Sequence, residues 1–361
     1  MLFKAEKKQI GIPRALSYYN YFPYFWGFFN HLGIEIILSS PTTKKTLSDG
    51  SSLVVTETCL PIKVYIGHIV ELVSKGVKKI FVPSIQSIAP KIYNCSKIRG
   101  LPDLVRNVVK GDFEIIEATL DKSEKNNGLY DFLKEAVKPF GIRNEKLIKE
   151  ASRAGFAVQN NFRLMMQQGL SFDEALKNAK EGKVIISNQK EVEAPIDVAL
   201  VAHGYNIYDK KASMDIFKKL KNMGVAVYNA NQLTDEELES GICALNTDLY
   251  WANQMEVTGC AGHYLKSDKI DGIITITAFG CGPDSLMIED IKRKAKSFNK
   301  PLLHLTIDEH TGEAGFVTRL EAFCDMLFRN KRKKLAQTFE NDAQEDVKTI
   351  DSLNEALAIR R

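Results

Sequence analysis

Three of the six cysteines sit where a strand gives way to a helix, a place from which a folded chain can present a thiol to a ligand. Cys281 lies in Ala278-Phe279-Gly280-Cys281-Gly282-Pro283-Asp284-Ser285, after the β-branched run 272–277 and before a helical pattern over 288–298. This predicts a thiol at the carboxyl end of a buried strand, where open α/β sheets bind ligands. Glycines there permit close backbone approach, and Pro283 fits a first helical turn. Cys59 repeats the arrangement, since Glu57-Thr58-Cys59-Leu60-Pro61 opens a helix-like segment that reaches Gly76. Cys95, in Tyr93-Asn94-Cys95-Ser96, follows the apolar strand 79–82. A helix dipole favours a thiolate at the helix N-terminus, so thiolates, the form that metals bind, are expected. Each cysteine taken singly also reads as a small apolar core residue.

Three thiolates converging between two domains suit an iron–sulfur cluster. In a four-iron cubane, three protein thiolates leave one iron open to water or substrate, as Lewis-acid or inner-sphere electron-transfer chemistry requires. Cys260 and Cys324 fall in helical patterns and read as core, and the neighbours of Cys243 carry no ligand pattern. Glu57, His203, Tyr205 and Asp209 stand at strand ends and are candidates to line the substrate side of such a site. Arg14, Asp284, Asp308, Glu309 and His310 occupy similar positions and read equally well as caps or turn residues. There is no phosphate-binding glycine loop, no HExxH and no defensible Ser/His/Asp order, so ATP binding by this chain is not expected.

The elements that must position these groups alternate between strand and helix. Strands are predicted near residues 9–13, 34–38, 79–82, 113–118, 196–201, 225–228, 272–277 and 301–307, with helical patterns between them. That order predicts mainly parallel sheets flanked by helices. Both 9–95 and 196–281 read as strand, helix, Gly, strand, helix, strand, cysteine loop, which suggests two similar lobes with strand ends on a shared cleft. The expected divisions are an α/β lobe over 1–125, a helical connector or lid over 126–194, a second α/β lobe over 195–335 and a polar tail over 336–361. The 361 residues are 44% hydrophobic and 26% charged, with net charge +4. No run approaches the ~20 apolar residues of a membrane helix, and no nucleic-acid motif accompanies the basic run 329–334. The N-terminal residues lack a signal-peptide core. A cytoplasmic protein is expected, with thiols reduced or bound to metal rather than paired in disulfides.

The segments ETCLPIKVYIGHIVEL, NCSKIRGLPDLVR, HGYNIYD, FGCGPDS and DEHTGEAGFVTRLEAF, in that order, resemble the dehydratase-like domain of acyl-CoA dehydratase activase-related proteins. That domain is similar to 2-hydroxyacyl-CoA dehydratase and benzoyl-CoA reductase subunits. The resemblance spans about residues 11–327. It implies two Rossmann-like lobes with a helical connector, and a cluster held by Cys59, Cys95 and Cys281. It implies a [4Fe-4S] cubane or a double-cubane [8Fe-9S] cluster. It also implies a partner, a separate ATP-dependent iron–sulfur activase that supplies low-potential electrons for reductive or dehydration chemistry on a small substrate. A homodimer or a pairing with a related dehydratase-like subunit would fit the same resemblance. The alternative is a non-catalytic accessory or scaffold partner of the activase.

Overall fold

The structure is a computed structural model that describes residues 8–123, 127–185, 194–245 and 251–358. The first lobe holds β1 (Gln9–Ile12), α1 (Tyr18–His31), β2 (Glu35–Leu38), α2 (Lys44–Leu53), α3 (Leu60–Ser74) and β3 (Lys79–Phe81). It continues through β4 (Ser84–Ala89), β5 (Ile92–Tyr93), α4 (Ser96–Arg99), α5 (Leu101–Val108), β6 (Glu114–Ile116) and β7 (Thr119–Asp121). The connector is helical: α6 (Leu129–Val137), α7 (Glu145–Gln167) and α8 (Phe172–Lys180). The second lobe contains β8 (Ile196–Val201), α9 (Gly204–Ile207), α10 (Ile216–Asn222), β9 (Val225–Tyr228), α11 (Asp235–Leu245), α12 (Gln254–Lys266), β10 (Gly272–Ala278), α13 (Gly282–Ser297), β11 (Leu302–Ile307) and α14 (Glu313–Ala358).

Two four-stranded sheets carry the two lobes, ordered β2-β1-β3-β6 and β9-β8-β10-β11. Every pairing within them is parallel. Each sheet therefore places its second strand outside its first, then steps across to its third and fourth. The crossing between first and third strand is the point where an open parallel sheet forms a crevice at its carboxyl edge. The expected α/β architecture of two Rossmann-like lobes is the one observed. The repeat extends to the helices. In the first lobe α2 meets α3 through glycines, since a methyl on Gly67 would lie 1.9 Å from the Thr46 carbonyl oxygen. In the second, α11 meets α12 the same way, with Gly262 as close to the Gly241 carbonyl oxygen.

A small third sheet, β5-β4-β7, was not legible in the sequence. Its strands are two to six residues long, too short for alternation to stand out. It holds the Cys95 hairpin against the second lobe, where the Ala252 amide donates to the Tyr93 carbonyl at 2.8 Å. Helix α11 was also missed, although Thr234 and Glu237 form the reciprocal backbone bonds of a capping box at its start. Helix α12 begins at Gln254. The final helix runs on to Ala358, through the region 336–361 expected as a polar tail with one further short helix. The stretch after Ala336 has no Gly or Pro, and its Glu, Ala, Gln and Leu residues are good helix formers. No helix among the described residues is long and apolar enough to cross a membrane.

The aromatic stripe of α1 is core. Phe22, Phe28 and Phe29 are essentially inaccessible and pack with Phe81, Phe132 and the connector. Because α3 is seated through a glycine contact, Gly67→Ala is expected to destabilise the protein by about 1–3 kcal/mol, the usual range for overpacking. A urea-unfolding midpoint unchanged in that variant would show that α2 and α3 are not held at this separation.

Candidate functional site

Cys59, Cys95 and Cys281 each occupy the N-cap position of a helix: α3, α4 and α13 respectively. Each has extended backbone dihedrals, and each cap carbonyl accepts bonds from the first turn, as in Ile62 N–H to Cys59 O at 3.1 Å and Ile98 N–H to Cys95 O at 3.1 Å. Pro61 and Pro283 sit in the first turns that follow, where their missing N–H costs nothing.

The three helix starts meet. Gly280 has φ +76°, and a methyl on it would lie 2.9 Å from the Glu57 carbonyl oxygen and 3.9 Å from the Cys59 Cα. Glycine is thus needed twice over, for the left-handed backbone and for the approach of the Cys281 loop to the Cys59 loop. From α4, the Lys97 ammonium donates to the Gly280 carbonyl at 3.3 Å and the Glu57 carbonyl at 3.5 Å. One side chain from the Cys95 helix therefore ties the other two cysteine loops together. The thiols are close enough to act on one another: Cys95 and Asp284 both oppose ionisation of Cys59, and Cys59 and Asp284 oppose that of Cys281.

The expectation that the helix N-termini would hold these groups as thiolates is corrected by the structure. Burial raises all three thiol pKa values above the ordinary range. The N–H groups of Ile62, Ile98 and Asp284 and the Lys97 charge work in the opposite direction and are outweighed. A dipole contribution falls off within one turn, whereas desolvation acts on the whole anion. Cys59 is buried and Cys95 and Cys281 are half-buried; Cys95 raises Cys59 and Cys59 raises Cys281, so added positive charge here would favour the thiolates.

His203 caps α9 at the carboxyl end of β8, the strand beside β10. Its Nε2 lies 2.9 Å from Asp284 Oδ1, and both residues are buried. Burial disfavours the imidazolium, but the Asp284 carboxylate outweighs it and the His203 pKa is raised. The ring stacks on Tyr205 with centroids 4.9 Å apart. The Tyr205 phenol is held protonated by burial first, then by Asp284, Cys281, Cys95 and Cys59. His203 and Tyr205 thus stand at the thiol cluster. Glu57 contributes its carbonyl there, while its side chain is exposed.

Asp209 is placed differently. Its carboxylate accepts from Thr42 Oγ1 at 2.5 Å and from the Lys211 and Ala212 amides. Thr42 Oγ1 also lies 2.9 Å from Nε2 of the fully buried His68. Asp209 thereby ties the second lobe to α3 of the first. Among residues that carried no earlier expectation, Lys63 of α3 is 2% exposed and bonds the Thr56 carbonyl at 2.8 Å and the Glu309 carboxylate. Lys97 was also unforeseen, since a lysine two residues after a cysteine reads as surface.

A cavity of about 650 Å³ opens beside the thiols, between α1, the connector and the second lobe. Asn94 and Ile98, flanking Cys95, form part of its wall together with His203 and Tyr205. Cys260 and Cys324 are buried among apolar neighbours, as expected, and Cys243 is exposed.

Residues 9–233, well over half of the chain, match the family described as "CoA enzyme activase uncharacterised domain". The match includes Cys59, Cys95 and His203 and stops before Cys281. No curated protein matches the chain.

The seam network makes a pH prediction. Burial, aided by Arg14 and Lys75 and opposed by Glu71, lowers the His68 pKa from 6.5 to about 4. A histidine depressed in the fold stabilises it above its unfolded value, and the contribution is lost as pH falls from about 6.5 through about 4. The unfolding free-energy difference between wild type and His68→Gln, measured in urea, is expected to shrink by up to about 3 kcal/mol between pH 7 and pH 4. A difference that stays constant would mean His68 is not buried as the neutral ring.

Proposed function

The chain belongs to the CoA enzyme activase uncharacterised domain family, and from that premise we propose that it is an iron–sulfur redox protein served by a separate ATP-dependent activase. Cys59, Cys95 and Cys281 hold its cluster, a [4Fe-4S] cubane in the first instance, and the chemistry is reduction or dehydration of a small substrate. The observation that carries the reading is the meeting of the three cysteine-bearing helix starts from both lobes, their loops tied together by Lys97.

The donor set fits that group. Thiolates are soft ligands that select iron–sulfur clusters, zinc or copper(I) over hard cations. Among the described residues no group of three His, Cys, Asp or Glu could hold one metal ion. A single tetrahedral ion with bonds of about 2.3 Å needs its sulfurs about 4 Å apart, whereas a multi-iron cluster accepts thiols spaced more widely. When bound, such a cluster supplies one-electron transfer at low potential.

The chain's own residues supply the surroundings. Lys97 brings positive charge to the thiols. His203, paired with Asp284, holds a proton on its ring, and Tyr205 keeps its phenolic hydrogen. Two proton donors therefore stand between the thiols and the cavity. Val55, Phe279 and Leu286, each within five residues of Cys59 or Cys281, are 71%, 62% and 65% exposed. Apolar side chains left in water beside a site suit a docking protein, and an activase is the partner we assign to them.

Iron and sulfide analysis after anaerobic reconstitution tests the assignment. About four irons per chain are expected for wild type, Cys260→Ser and Cys324→Ser, with loss or conversion of the cluster in Cys59→Ser, Cys95→Ser and Cys281→Ser. Equal iron in all five variants would refute the ligand set. A folded wild type that takes up no iron would refute the redox reading and leave the accessory role.

A further inference from the structure

The cavity beside the thiols has walls of one kind and a floor of another. Tyr24, Phe25, Phe132, Phe156, Phe162 and Met166 supply much of the wall. Tyr21 and Phe156 are 41% and 46% exposed, and both line this space. Large apolar surface kept accessible inside a concavity is what a binding pocket shows, and ~300–1,000 Å³ is the usual range for small-molecule sites.

The polar groups gather at one end. Glu256, on the first turn of α12, lines the cavity with Asn20, His203 and Tyr205. Asn20 Nδ2 donates to Glu256 Oε2 at 3.3 Å, which leaves Oε1 for another partner. His203 uses Nε2 on Asp284, and among the described residues its other ring nitrogen has no hydrogen-bond partner. Burial raises the Glu256 pKa, although His203 opposes it, which shifts the balance toward the carboxylic acid. The end nearest the thiols thus offers the second ring nitrogen of His203 and Oε1 of Glu256, which donates in its acid form, and an acceptor oxygen fits between them.

The mouth gives a second constraint. Its cations are Lys122 and Arg163, but Asp235 and Glu239 stand with them. Arg163 is paired with Asp235 at 2.5 Å. Among the described residues nothing there amounts to a net positive patch of the sort that phosphates need. A nucleotide-bearing thioester would leave its phosphates without matching charge.

We propose that this cavity binds an uncharged, largely apolar carbonyl compound, ring-bearing or branched, as a free molecule rather than a nucleotide thioester. Its oxygen faces Glu256 and His203, and its apolar body lies along the aromatic wall. The proposal deepens the redox reading by naming the class of molecule that would react, and it rests on that reading only for the reaction. Binding itself depends on the cavity alone.

Calorimetric titration of the full-length chain with acetophenone, toluene, sodium benzoate and benzoyl-coenzyme A tests it. Acetophenone is expected to bind saturably, at least 10-fold more tightly than toluene, benzoate or the thioester. Glu256→Leu is expected to abolish the preference for acetophenone over toluene while toluene binding persists. Met255→Trp, which places bulk on the cavity wall, is expected to weaken both by at least 10-fold. Circular dichroism establishes that each variant is folded. The wild-type chain stripped of iron is expected to bind acetophenone as the reconstituted chain does, which separates the cavity from the cluster. Tighter binding of benzoate or benzoyl-coenzyme A, an unchanged preference in Glu256→Leu, or no saturable binding of acetophenone would overturn the proposal. Missing iron with acetophenone binding intact would instead refute the redox reading alone.

Discussion

A charge buried in the seam between two parallel sheets must find its partner across that seam, and the arrangement of this molecule depends on that constraint. Lys63 is the clearest case. Its ammonium, 2% exposed on a helix of the first lobe, meets the Thr56 carbonyl and the carboxylate of Glu309, which follows the last strand of the second. An unpaired ammonium there would cost several kcal/mol. Thr42 and Asp209 join the same helix face to the second lobe, and Lys97 reaches the Gly280 carbonyl from the first. These contacts fix the three cysteine caps relative to one another. The thiols can meet because other polar groups have already determined how the lobes sit.

Much of the frame was readable from residue order. Short β-branched runs closed by turn residues marked all eight strands of the two main sheets. The matching succession of strand, helix and glycine in the two halves anticipated two similar lobes, and the structure gives both the same strand order, β2-β1-β3-β6 and β9-β8-β10-β11. Cysteine followed two residues later by proline marked two of the helix caps, because proline at a first helical turn is a local requirement. Gly280 was legible for a similar reason: its neighbours, glycine and cysteine between a strand and a helix, describe a tight turn. Such features are encoded within a few residues, so they survive the absence of tertiary information.

What escaped the sequence depends on groups far apart in the chain. Glu256 looks like any acid on the polar side of a helix, and only the packing of α12 against α1 turns it into a half-buried carboxyl bonded to Asn20. The cavity draws on α1, the connector, the Cys95 hairpin and the second lobe, and no local pattern announces a space bounded by four separate segments. The protonation of the thiols was misjudged for the same reason. The helix dipole is a local property and pointed to thiolate, whereas desolvation is collective and prevails. Strands of two or three residues in the small sheet are likewise stabilised by their neighbours more than by their own composition.

The account stands on three cysteines from two lobes acting as one ligand set, and cysteine footprinting tests that most directly. Chains reconstituted with iron and sulfide, and chains stripped of both, would be treated with iodoacetamide and mapped peptide by peptide. The expected result is that reconstitution protects Cys59, Cys95 and Cys281 together, to the same extent and in proportion to bound iron, while exposed Cys243 is labelled equally in both forms. Iron bound with any one of the three still alkylated at its iron-free rate would contradict the account.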